Sequence, residues 1–122
     1  MSYRYYNANN RGNFVNDCVI RMTAVIEDIP YSQAYMQLSK LAMEKGMMLD
    51  DVRFVRPLLD SKYKRIPFKE KTIGEFAQNH PIGRWIATTK GHIVAIIDGA
   101  VVDSWDSRNR NIEYIWKVNN AK

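Results

Sequence analysis

The side chains best suited to nucleophilic chemistry are few in this chain of 122 residues: one cysteine, Cys18, and two histidines, His80 and His92. Cys18 follows Asn16-Asp17 and precedes the apolar pair Val19-Ile20. Asn and Asp are good helix N-caps, so the thiol is expected in the first turn of a helix. Unpaired backbone N–H groups and the helix dipole favour a thiolate at that position. The Cys18 N–H would also serve as one donor to an oxyanion, with an amide from Asn13 or Asn16 as the second.

His92 opens the run HIVAII, which Asp98-Gly99 separates from AVVDSW. Asp-Gly between two β-rich runs is a strong signal for a two-residue hairpin turn. In that register Ile97 faces Ala100 and His92 faces Trp105. Asp103 then becomes a diagonal neighbour of His92 on the same face, roughly 7–8 Å away by backbone. A carboxylate so placed holds an imidazole in one tautomer and stabilises its charged form. A one-residue slip would undo the arrangement. Cys18, His92 and Asp103 together supply a nucleophile, a base and an orienting acid. Trp105, facing His92 in this register, would either shield the His–Asp pair from water or only pack the sheet. His80, before Pro81, reads as a helix-end residue. One cysteine and two histidines at no recognisable ligand spacing predict no metal centre, and no cofactor is expected.

The elements that must position these groups follow from the pattern of apolar residues. Residues 1–16 have no clean period and read as an extended lead with turns. A largely buried first helix is expected over 17–28, from Val19, Ile20, Met22, Val25 and Ile26. A second helix should begin near Pro30 and stop near Gly46, since proline suits a first turn and glycine a C-terminus. Residues 47–71 read as a loop-rich connection with a short helical piece near Asp50 and Asp51. TIGEFAQNH predicts a short helix ended by Pro81, and strands follow over RWIATT, HIVAII, AVVDSW and IEYIWKV. Met43, Met47 and Met48 are expected to fill the core around the second helix. Helices first and antiparallel strands last argue for an α+β class in a single domain spanning 1–122.

Composition narrows the class of protein. Hydrophobic residues make up 46% and charged residues 25%, as in a folded globular chain. A single cysteine forms no internal disulfide and suits a reducing compartment. There is no apolar run of about 18 residues, and MSYRYYNANN lacks the apolar stretch of a secretory signal. The expectation is a cytoplasmic protein with no membrane partner. The net charge of +5 is small enough to be common on solvated surfaces. The stretch from Lys62 to Lys71 interleaves Tyr63 and Phe68 with basic residues as nucleic-acid binders do. A solvated loop explains it better, so nucleic acid is not the expected partner.

The blocks Asn7-Ala8-Asn9-Asn10, Asp17-Cys18-Val19-Ile20-Arg21, Gly91-His92-Ile93-Val94-Ala95, Asp98-Gly99 and Val102-Asp103-Ser104-Trp105-Asp106 carry a resemblance. Over about residues 5–118 the chain resembles the papain-like cysteine peptidase superfamily. More narrowly, it is similar to small phage and bacterial peptidase-like proteins related to bacteriocin leader peptidases. The resemblance implies a papain-like fold, with N-terminal helices packed on a C-terminal antiparallel β-sheet. It also implies Cys18 as nucleophile, His92 as general base and Asp103 as orienting acid, acting on a protein or peptide. If the chain is phage-encoded, the compartment would be the host cytoplasm. One departure stands out: Gly12 occupies the position, six residues before Cys18, where the superfamily usually keeps an oxyanion glutamine. That departure, with the positive charge, frames an alternative: a non-catalytic interaction module on the same scaffold, binding a host protein or nucleic acid.

Overall fold

The computed structural model describes residues 3–8, 17–49 and 51–118. Helix α1 spans Cys18–Glu27 and buries Val19, Ile20, Met22, Ala24 and Ile26. Asp28 ends it in the left-handed region at φ 56°, returning its N–H to Ala24. Pro30, extended at ψ 149°, starts α2, Tyr31–Lys45, which Gly46 stops at φ 64°. Helix α2 buries only Ala34, Leu38 and Ala42, a narrow stripe at four-residue spacing. That narrowness corrects the expectation for the methionines. Met47 packs against the core, whereas Met43 and Met48 lie on the exposed side.

Residues 47–71 are not loop-rich. Asp51 caps helix α3, Val52–Lys62, by accepting from the Arg53 N–H at 2.9 Å. Phe54, Val55 and Leu59 form its buried stripe, and Pro57 is accommodated inside the helix. A proline there breaks the usual helical pattern; burial of the stripe outweighs it. Strand β2, Lys64–Ile66, follows at once. Helix α4, Ile73–Asn79, starts at a capping box in which Thr72 and Glu75 bond each other's main-chain N–H groups.

Strand β1 is Tyr3–Tyr5, and β3 to β6 are Arg84–Thr89, His92–Ile97, Ala100–Asp103 and Tyr114–Val118. They form one six-stranded sheet in the order β1-β5-β4-β3-β6-β2. The class is α+β, but the sheet is mixed rather than antiparallel, because the lead contributes β1 in parallel to β5. Exposed Arg4 and Tyr5 beside a half-buried Tyr3 hide a strand whose edge position needs no full apolar alternation.

Both faces of the sheet are covered. Ile86, Ile93, Ala95 and Trp116 pack with α1, α2 and α3 on one side. Trp85, Ala87, Val94, Ile96 and Ile115 pack with Ile73, Phe76 and Ala77 of α4 on the other. Strict alternation along β4 and β6 assigns each side chain its layer. No described helix is long and apolar enough to cross a membrane.

Candidate active site

The β4–β5 turn has the expected form. Asp98 and Gly99 both take positive φ, 49° and 80°, as a type I′ turn requires. Ile97 pairs with Ala100, Ile96 with Val101 and Ala95 with Val102. Asp98 is fixed further by accepting from the Gly83 N–H at 3.0 Å. This register brings His92, the first residue of β4, to Asp103, the last of β5. His92 Nε2 donates to Asp103 Oδ2 at 2.8 Å, and the two side chains are only 7% and 5% exposed. With Nε2 carrying the proton, Nδ1 of the neutral ring is left as the basic nitrogen.

Every oxygen of Asp103 is engaged. Its Oδ1 accepts from the Ser104 N–H at 2.7 Å and from Arg21 Nε at 3.3 Å. Its main-chain carbonyl accepts from the Tyr6 N–H at 2.9 Å and from the Tyr3 hydroxyl at 3.2 Å. Strand β1 therefore clamps the backbone that carries the acid.

Arg21 also bonds Asp17 Oδ1, while Asp17 Oδ2 accepts from the Tyr31 hydroxyl at 2.8 Å. A part-buried chain of hydrogen bonds and ion pairs thus runs from the Tyr31 hydroxyl through Asp17, Arg21 and Asp103 to His92. Asp17 stands at the N-cap of α1, but its side chain makes no cap hydrogen bond. Its carboxylate is committed to Arg21 and Tyr31 instead. The Asp17–Arg21 spacing of four was readable as a helical ion pair; the reach of Arg21 to β5 was not.

Alternation gives His92 and Asp103 the α4 side of the sheet, whereas α1 lies on the other. They meet because His92 sits at the sheet's end, where the N-terminus of α1 arrives. Cys18, the first residue of α1, lines the same cleft as His92. The cleft has a volume of about 190 Å³, and Val19, Val52, Val55 and Ile93 give it an apolar wall. Thr88 lines it too, with a buried hydroxyl that has no hydrogen-bond partner among the described residues. Arg56 and Glu113, 3.5 Å apart, complete the lining.

The expectation of a thiolate favoured by the helix start is corrected by the surroundings. Burial pushes the Cys18 thiol above its ordinary value of 9.0, the backbone hydrogen bond with Ile93 opposes this, and the Asp103 charge adds to the rise. No hydrogen bond joins Cys18 to His92 among the described residues. Burial thus favours the protonated thiol, against the pull of the helix dipole toward a thiolate.

Trp105 stacks near His92, with ring centroids 4.4 Å apart and planes tilted by 32°. Arg110 lies over the Trp105 ring at 5.2 Å. Asn13 and Asn16, the expected oxyanion donors, lie outside the described residues, as does Gly12. His80 ends α4, where its Nδ1 donates to the Phe76 carbonyl at 2.7 Å and its ring stacks on Phe76.

Comparison with family models, with curated proteins and with solved structures finds no match to this chain.

The basic stretch looks less like a free surface than its composition suggested. Lys62 pairs with Glu27 at 3.3 Å and Arg65 with Asp60 at 2.7 Å. Tyr63 donates to Glu27, and Phe68 packs against the α4 side of the sheet. Among the described residues no group of three or more His, Cys, Asp or Glu side chains is arranged to hold a metal ion.

Proposed function

We propose that the protein is a cysteine hydrolase of the papain-like type, a peptidase or isopeptidase acting through an acyl-enzyme. The observation that carries this reading is the 2.8 Å bond from Asp103 to His92, which lines the same cleft as Cys18. A helix that bears the thiol at its first residue and packs on the strand that bears the histidine is also what a papain-like scaffold requires.

In the proposed reaction His92 Nδ1 takes the Cys18 proton as Sγ attacks the carbonyl carbon of the substrate. The C–S bond forms, and the imidazolium gives its proton to the leaving amine as the C–N bond breaks. A water then loses its proton to His92 and attacks the thioester. The acid product leaves, and the proton returns to Sγ. Asp103 holds the ring and stabilises its charged form in both halves. The Cys18 N–H supplies one oxyanion donor. A reducing cytoplasm suits the single thiol, in a bacterium or in the host of a phage.

The raised thiol pKa and the absence of a Cys18–His92 hydrogen bond favour a second reading, a non-catalytic module that binds a host protein. A cleavage screen on proteome-derived peptides decides between them. New N-termini that appear with wild type and vanish with Cys18→Ala support the hydrolase. Identical peptide pools from both proteins overturn it.

A further inference from the structure

The cleft beside Cys18 and His92 is small, sharply divided in chemistry and open at one corner. An enclosed apolar space of about 150 Å³ holds a benzene-sized group, and sites that take a whole small-molecule ligand run to about 300–1,000 Å³. A volume of about 190 Å³ therefore suits one side chain and not a whole ligand. Its walls are branched aliphatic groups from two helices and β4: Val19 from α1, Val52 and Val55 from α3, and Ile93. Arg56 and Glu113 at its polar side pair with each other at 3.5 Å, so neither sign of charge is left to attract a charged side chain. Val52 differs from the other wall residues in being 54% exposed, which puts it at the mouth.

We infer that this cleft is the specificity subsite of the proposed hydrolase, taking one compact aliphatic side chain of the substrate beside the bond that Cys18 attacks. The inference rests on the hydrolase reading and adds the substrate class to it: peptides with a residue of valine or leucine size next to the scissile bond. A glycine leaves the aliphatic wall uncovered, a tryptophan exceeds the space, and an aspartate or lysine would be desolvated with only the neutral Thr88 hydroxyl to meet its charge.

Two series of peptidyl acyloxymethyl ketones test it, Cbz-Ala-X and Cbz-X-Ala, with X as Gly, Val, Leu, Trp, Asp or Lys. The Cys18 thiolate displaces the carboxylate of each probe, forming a C–S bond as the C–O bond breaks, and intact mass reports the rate. Iodoacetamide, which has no side chain to seat, is the control. In one series Val and Leu should label at least tenfold faster than Gly, Trp, Asp and Lys. Val52→Trp, which fills the mouth from an exposed position, should abolish that advantage, bringing the Val and Leu probes down to the Gly rate. Val52→Ala should extend acceptance to Trp. Rates independent of X in both series overturn the subsite while the hydrolase reading stands, provided iodoacetamide labelling still depends on His92. Labelling of Cys18 that ignores His92 overturns both.

Discussion

Arg21 Nε lies 3.3 Å from Asp103 Oδ1, on the carboxylate whose other oxygen holds His92. The same guanidinium bonds Asp17, so one cation from α1 neutralises two buried acids and ties the thiol-bearing helix to the strand bearing the orienting acid. Removing one member of a buried charge set leaves the others uncompensated, at a cost of roughly 3–5 kcal/mol. Arg21→Gln should lower stability by about that amount in chemical denaturation. Arg21→Lys should recover only part of it, since a point charge cannot fork between two carboxylates.

Asp103→Asn keeps the size of the side chain and loses its charge. The amide can present an N–H to His92 and reverse the tautomer, leaving Nδ1 protonated and unable to take the Cys18 proton. Peptide hydrolysis should fall by about 10²–10⁴-fold, as for loss of an orienting acid or general base elsewhere. Steady-state kinetics on a substrate from the cleavage screen measures this, with kcat expected to carry the loss. An unchanged kcat would remove Asp103 from the mechanism.

Gly99 supplies the turn that aligns the pair. At φ 80° a side chain is strained, and a Cβ there would meet Pro81 Cα at 3.2 Å. Gly99→Ala should cost about 1–2 kcal/mol from the left-handed conformation alone, seen as a lower denaturation midpoint with the same slope. The His92–Asp103 register hangs on that turn, so hydrolysis should fall with it.

The stability of the fold should decline on the alkaline side. Burial is the largest cause raising the proton affinities of Tyr3, Cys18, Tyr31 and Tyr63 above ordinary values of 10.0, 9.0, 10.0 and 10.0. For Tyr63, donation to Glu27 reinforces the shift. As pH rises past about 9, the unfolded chain releases these protons while the folded chain retains them, so stability falls. Below pH 9 the contribution is fully present. Denaturation curves between pH 7 and 11 should show this fall, and Tyr63→Phe should flatten its part above pH 10.

What was legible in the sequence was whatever depended on local pattern. Asp98-Gly99 set a turn, the turn set a register, and the register joined His92 to Asp103 across eleven positions. Helices α1 and α2 were marked at their ends by Asp17, Pro30 and Gly46, close to where they begin and stop. Helix α3 was obscured because Pro57 and flanking charges mask a stripe of only three buried residues. Strand β1 was hidden because its pairing partner lies about a hundred residues away. Arg21 stood in plain view beside Cys18, yet its bond to Asp103 depends on how α1 crosses the sheet. The raised thiol pKa depends equally on burial that no short window of sequence records.

The central claim is that His92 is the base for Cys18. The most direct measurement is the rate of Cys18 alkylation by iodoacetamide from pH 5 to 10, in wild type and in His92→Ala, with circular dichroism confirming that both are folded. The account predicts that His92→Ala slows alkylation at pH 7 by at least tenfold and moves the profile to higher pH, because the buried thiol loses its proton acceptor. Superimposable profiles would contradict it.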